Sequence, residues 1–136
     1  MKKIIAFGII LLIILTAIVS CKKEPVTLES IKNALTDAGY AIEDSEEINF
    51  LITGFYENSR GGFTFTYPGA HGDKIIPVIE FKDKESAGAF AKIVNETEYQ
   101  EAIVNDKFAT IYDSDGHNHG NEKTFLENLI NGKSIK

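Results

Sequence analysis

An uncharged run rich in Ile and Leu, from Ile4 to Val19, follows Lys2 and Lys3 at the start of the chain. This run constrains the fold more than any other feature, because a water-soluble domain would not leave it exposed. Its length approaches the roughly 18–20 apolar residues that cross a bilayer. We therefore expect residues 1–20 to stand apart from the domain that the remaining residues form.

The end of this run resembles the lipobox of bacterial lipoproteins. Ile18-Val19-Ser20-Cys21 places an aliphatic pair and a small residue before a cysteine, and the order of positive end, apolar core and small residues is that of a secretory signal. The resemblance implies that residues 1–20 are a signal peptide and that a diacylglyceryl group is attached to Cys21. Residues 21–26 would then be a short tether at the extracytoplasmic face of the cell membrane.

Two other interpretations of the N-terminus stay open. The apolar run could be an uncleaved membrane helix, although Lys22 and Lys23 on its far side weaken the charge asymmetry that orients such a helix. It could also be an ordinary cleaved signal with an incidental cysteine. All three interpretations place the residues after Cys21 outside the cytoplasm.

Composition limits what the exported part can bind. Removing residues 1–20 takes away two lysines and changes the formal charge from −6 to −8. An acidic chain lacks the clustered basic residues that nucleic acids and anionic lipids attract, so we expect no nucleic acid partner. Cys21 is the only cysteine, so disulfide bonds within the domain are excluded. Residues 27–136 are predicted to form one domain.

Hydrophobic periodicity predicts an α+β domain. A first helix should begin after Thr27 and end near Gly39, a second should follow the cap Asp83, and a third should follow the cap Asn121. Alternation and turn signals predict strands at Ile48–Glu57, Phe63–Tyr67, Lys74–Phe81, Ala102–Val104 and Phe108–Tyr112. Pro77 suggests an edge strand or a bulge, because proline cannot donate to a ladder.

The resulting order is α-β-β-β-α-β-β-α, in which hairpins dominate. We expect a mostly antiparallel sheet of about five strands with two or three helices packed on one face. The stretch from Glu43 to Glu47 is predicted to be a solvated connection.

One polar loop, Asp113 to Glu122, suggests chemistry. Asp113, Asp115, His117 and His119 alternate along it, and two glycines could let it curl round an ion. His-x-His with carboxylates suits Zn²⁺ or Ni²⁺, and His71 in another loop could supply a third imidazole. The alternative is an ordinary exposed turn, in which Asp and Asn cap backbone groups.

The same loop partly resembles a calcium loop of the EF-hand or dockerin kind. Asp113, Asp115 and Glu122 match its third, fifth and twelfth positions. Ile111 departs from the pattern at the first position, where an oxygen ligand is required, and a strand precedes the loop in place of a helix.

Aromatic residues give a second candidate, since the strand-like segments carry Phe50, Phe55, Tyr56, Phe63, Phe65 and Tyr67. They could form a platform that stacks a ligand, but at strand spacing core packing is the more economical interpretation.

The sequence contains no nucleophile elbow, zinc-protease motif or phosphate-binding loop. We therefore expect a non-enzymatic, membrane-anchored domain that binds a protein or a small molecule. The alternatives are a lipoprotein that binds a divalent cation (Zn, Ni or Ca) through the Asp113–Glu122 loop, and a small metal-assisted envelope hydrolase.

Overall fold

A computed structural model describes residues 24–69, 71–113 and 120–136. Its elements, in chain order, are α1 (Leu28–Asp37), β1 (Ile42–Glu43), α2 (Glu46–Phe55), β2 (Ser59–Gly69), β3 (Gly72–Phe81), α3 (Lys84–Asn95), β4 (Gln100–Asn105), β5 (Phe108–Asp113) and α4 (Gly120–Ile130). The α+β class is confirmed.

The sheet has five strands in the order β1-β2-β3-β5-β4, and every neighbouring pair is antiparallel. β2 and β3 form a long hairpin that closes at the pair Gly69↔Gly72. β4 and β5 form a shorter hairpin that closes at Asn105↔Phe108. The predicted antiparallel sheet of about five strands is therefore confirmed, although β1 was not predicted as a strand.

Helices cover both faces of the sheet, so the prediction of helices on one face is wrong. Val78 and Ile79 are adjacent on β3 and belong to different cores. The first core joins α1 and α4 to the sheet, and the second joins α2 and α3 to its other face. A strand alternates its side chains between faces, so consecutive buried residues in β3 require a cover on each side.

The predicted strand Ile48–Glu57 is also wrong, because Glu46–Phe55 forms α2. The observed order is therefore α-β-α-β-β-α-β-β-α. The Ser45 hydroxyl accepts the Ile48 amide and caps the helix, and two glutamates in the first turn complement its dipole. The apolar side chains lie at i, i+3, i+4 and i+7, which are Ile48, Leu51, Ile52 and Phe55.

Gly62 lets α2 approach the sheet closely. A Cβ at this position would overlap the Val78 carbonyl oxygen and would lie 3.0 Å from Ile52 Cδ1. The Asn49 side-chain oxygen on α2 also accepts a hydrogen bond from the backbone amide of Gly62 on β2, at 3.2 Å. The helix is therefore fixed both by packing and by a hydrogen bond.

Most of the predicted helix ends are confirmed. The Thr27 hydroxyl accepts the Ser30 amide at 3.0 Å, and Gly39 follows α1 with a φ of +87°. Asp83 caps α3 by accepting the Ser86 amide at 2.8 Å. The prediction that Asn121 caps the last helix is wrong, because α4 begins one residue earlier, at Gly120.

Pro77 marks the point at which the sheet opens. β3 pairs with β5 only through Val78–Glu80, opposite Phe108–Thr110. Immediately before this ladder, the Pro77 carbonyl accepts the Thr110 hydroxyl at 2.8 Å. β3 therefore behaves as an edge strand on its β5 side before Val78, as the proline predicts, although it is central in the sheet.

Candidate binding site

The opening between β3 and β5 forms a cleft of about 220 Å³, which we call the polar cleft. Its wall comes from the parts of β3 and β5 that do not pair with each other, with contributions from β4, from α4 and from the residue after α2. The lining residues are Tyr56, Lys74, Ile75, Ile76, Pro77, Gln100, Ile111, Asp113 and Glu122.

An ion pair with one deeply buried partner lies in the polar cleft. Lys74 Nζ donates to Glu122 Oε2 at 3.0 Å, and Glu122 is only 4% exposed. Burial, and next the negative charge of Glu122, raise the pKa of the neighbouring Tyr112. The Lys74 ammonium offsets much of the cost of burying the Glu122 carboxylate.

The structure places part of the predicted metal set at this cleft. Asp113 at the end of β5 and Glu122 in the first turn of α4 both line it, while His71 is exposed in the β2–β3 turn. Asp115, His117 and His119 lie outside the described residues, and so does Cys21. In the ranges 24–69, 71–113 and 120–136, no three His, Cys, Asp or Glu side chains are grouped so as to hold a metal ion.

The ion pair with Lys74 hinders Glu122 from serving as a metal ligand. Its ammonium occupies one carboxylate oxygen at hydrogen-bond distance. A divalent cation at the same carboxylate would have to displace that ammonium or lie beside it, and like charges at such separations repel strongly in a partly buried site.

A second concavity, which we call the apolar groove, runs between α2 and the sheet. Its volume is about 270 Å³, and its lining residues are Ile48, Leu51, Ile52, Phe55, Tyr56, Thr64 and Pro77. Neither Lys nor Arg occurs among these residues. Thr64 and Pro77 are partners across the β2–β3 ladder, so the floor of the groove is the sheet itself.

The groove and the cleft meet, because Tyr56 and Pro77 line both. Tyr56 is held in place by an edge-on contact with Phe90, whose ring centroid is 5.1 Å away. The Tyr56 carbonyl also accepts the Ser59 hydroxyl at 2.6 Å, and burial raises the pKa of the phenol. The two concavities are therefore adjacent, and one is apolar while the other contains the ion pair.

Large apolar side chains surround this site without cover in the described part of the chain. Phe55 is 81% exposed, while Phe50 and Ile75 are each 74% exposed. Leu51 is also exposed. A helix with apolar residues on its outer side as well as its inner side usually packs against something on both sides. We call Phe50, Leu51, Phe55 and Ile75 the exposed apolar surface.

The aromatic platform that the sequence suggests is divided by the fold. Phe63 and Phe65 are fully buried in the first core, in line with the packing interpretation. Phe50 and Phe55 lie on α2 and face solvent. Sequence reasoning missed the exposure of Leu51 and Ile75, which depends on how α2 packs against the sheet.

Exposed carboxylates flank the apolar groove. Glu46 and Glu47 form the first turn of α2, Glu57 follows its last turn, and all three are exposed. Asp113 adds an exposed carboxylate at the end of the polar cleft. Lys74, the one lysine among the described residues that line the cleft, is paired with Glu122.

Comparison of the chain with protein-family models, with curated proteins and with solved structures finds no match. Across the three described ranges, none of the helices is both long enough and apolar enough to cross a membrane.

Proposed function

We propose that this chain is an extracytoplasmic lipoprotein, anchored through Cys21, whose domain binds another protein through the exposed apolar surface and the apolar groove. The observation that carries the binding role is the exposure of Phe55, which lines the groove, and of Ile75, which lines the adjacent cleft, together with that of Phe50 on α2. Contiguous exposed apolar surface on a soluble domain marks an interaction site more often than chance, because leaving it in water is unfavourable.

The shape of the site favours a polypeptide over a small molecule. A small ligand buries most of its surface in an enclosed pocket. Here Phe50 lies on the outer side of α2 and Ile75 belongs to the neighbouring cleft, so the apolar residues extend well beyond the groove. Covering all of them requires a partner that spreads over a helix and an adjacent strand.

The anchor supports this use of the surface. Glu24, Pro25 and Val26 lie beside α1 and the end of α4, on the face of the sheet opposite α2. Two residues lie between Cys21 and Glu24, so this span of three residue steps reaches at most about 10 Å when fully extended. A lipid on Cys21 would therefore hold the α1–α4 side near the bilayer and leave the α2 side open to a partner.

Site-specific photocrosslinking tests the binding role in the full chain in its own membrane. The photoreactive residue p-benzoylphenylalanine replaces Phe55 in one sample and Ile93, which is 68% exposed on α3, in the control. We expect a crosslinked adduct of higher mass at position 55 and none at position 93. No adduct at position 55, or equal adducts at both positions, would contradict the proposal.

The anchor has its own test. When cells are grown with radiolabelled palmitate, the parent chain should carry the label and Cys21→Ser should not, because one residue carries the lipid. An unlabelled parent chain would instead favour an uncleaved helix or an ordinary cleaved signal.

A divalent cation site is the second candidate, favoured by the position of Asp113 and Glu122 in one cleft. A thermal shift with Zn²⁺, Ni²⁺ or Ca²⁺ that disappears in the variant His117→Ala plus His119→Ala would support it. The absence of any shift would remove this candidate and the metal-assisted hydrolase together.

A further inference from the structure

The polar surroundings of the apolar groove define the chemistry of its partner. We propose that the groove accepts a cationic amphipathic segment of another protein, with apolar side chains against Leu51 and Phe55 and with Lys or Arg toward the flanking carboxylates. This inference rests on the proposed binding role and adds the class of partner.

The apolar half of the argument comes from the groove. Ile48 and Ile52 pack toward the sheet, while Leu51 and Phe55 form the outer wall. Leu51 and Phe55 lie one turn apart on α2, so they present a short apolar strip. An amphipathic segment with apolar residues at a matching spacing could cover that strip, as helices do in other apolar grooves.

The cationic half comes from the charges around it. Glu46, Glu47 and Glu57 stand at the two ends of α2, and Asp113 lines the adjacent polar cleft. The positive end of the α2 dipole is worth only about half an elementary charge, so the two glutamates of the first turn leave this end negative. Lys74 does not reverse the negative charge around the groove, because Glu122 pairs with it.

Charge also argues against the other occupants. A second copy would bring the same glutamates against their own kind, in a domain whose formal charge without residues 1–20 is −8. An anionic lipid surface would repel the same carboxylates. A basic amphipathic segment would bind favourably to both the apolar groove and the carboxylates that flank it.

A pair of synthetic peptides tests the inference on the full lipidated chain in detergent micelles. Both peptides carry leucines at i, i+3, i+4 and i+7, and the remaining positions are lysine in one and glutamate in the other. Fluorescence anisotropy should show at least tenfold tighter binding of the lysine peptide. Raising the ionic strength should shrink this preference, because salt screens exposed charges.

Variants locate the binding. Phe55→Ser should weaken binding of the lysine peptide at least tenfold, while Ile93→Ser should not change it. Glu47→Gln plus Glu57→Gln should reduce the preference for lysine, whereas Glu85→Gln, in the equivalent first turn of α3, should not. Equal binding of the two peptides, binding of neither, or binding that survives Phe55→Ser overturns the inference.

Two further outcomes would also overturn it. Dimerisation that Phe55→Ser abolishes, measured by sedimentation, would assign the groove to a second copy. Binding of phosphatidylglycerol vesicles by the Cys21→Ser chain that is lost with Phe55→Ser would assign the groove to the bilayer. If position 55 crosslinks a protein but the peptides do not differ, the binding role stands and the cationic class is wrong.

Discussion

The pair formed by Lys74 and Glu122 offers the sharpest test of the polar cleft. Lys74→Met removes the ammonium but keeps most of the apolar stem, and it takes away the Nζ that lies 3.0 Å from the carboxylate of Glu122, a residue that is only 4% exposed. Breaking a fully buried pair costs about 3–5 kcal/mol. The Lys74 side chain is 23% exposed, so water can partly replace it, and we expect a loss of about 2–3 kcal/mol.

Urea denaturation followed by circular dichroism measures this loss as a lower midpoint at an unchanged slope. Lys82→Met is the control, because its 4.0 Å pair with Asp83 is exposed on both sides and should contribute less than about 0.5 kcal/mol. Adding Glu122→Leu to Lys74→Met should restore much of the stability, since the buried carboxylate is then removed together with the ammonium. A loss below about 0.5 kcal/mol for Lys74→Met, or no recovery in the double variant, would refute the reasoning.

Three other outcomes follow from the packing of α2 and the cap of α3. Gly62→Ala should destabilise the fold by about 1–3 kcal/mol in the same denaturation assay. Gly54→Ala, with open space around it, should instead raise stability by about 0.5–1 kcal/mol. Equal changes in stability for the two variants would contradict the close approach at Gly62. Ile52→Ala should lower the free energy of unfolding by about 2–4 kcal/mol, and Phe55→Ser should lower it by less than about 0.5 kcal/mol. A large loss of stability for Phe55→Ser would mean that this side chain packs as part of the fold. Hydrogen bonds from Ser86 lower the pKa of Asp83, so the contribution of Asp83 to stability is fully present above the ordinary Asp pKa and disappears as pH falls through the lower folded value. The difference in melting temperature between the parent and Asp83→Ala should therefore shrink in strong acid. A constant difference would contradict this linkage.

Local signals in the sequence predicted the parts of the fold that local interactions determine. Thr27 and Asp83 cap helices through amides three residues away, so their role is visible in a short window. The hairpins of β2 with β3 and β4 with β5 are joined by short turns and were likewise predictable. Pro77 pointed to the interruption of a ladder, although only the structure shows that a central strand is interrupted.

α2 was missed because its apolar residues satisfy two periods at once. Ile48, Phe50 and Ile52 alternate as in a strand, while Ile48, Leu51, Ile52 and Phe55 follow a helical stripe. The Ser45 cap and the glutamates of the first turn decide the matter in the folded chain. The prediction of helices on one face was a separate error, because the correctly predicted α3 covers the second face of the sheet together with α2.

The candidate site was predictable only in part. Asp113 and Glu122 belong to one loop of the sequence and do line one cleft. Lys74, the partner of Glu122, is 48 residues away along the chain, so no local pattern could reveal the ion pair. The exposure of Phe55 and Ile75 depends on how α2 packs against β2 and β3, which is a property of the tertiary structure.

Thiol labelling in native membranes tests most directly whether a partner covers the exposed apolar surface. Gly54 and Gly88 lie on α2 and α3, and a Cβ added at either position meets no atom within 4 Å apart from its chain neighbours and the nearby backbone of its own helix, so Gly54→Cys and Gly88→Cys form a matched pair. The parent chain, whose one cysteine is Cys21, gives the background. We expect a membrane-impermeant maleimide to label Gly54→Cys several-fold more slowly in native membranes than in the purified protein, and to label Gly88→Cys equally in both. Equal labelling of Gly54→Cys in both settings would show that the surface is uncovered and would contradict the proposed function.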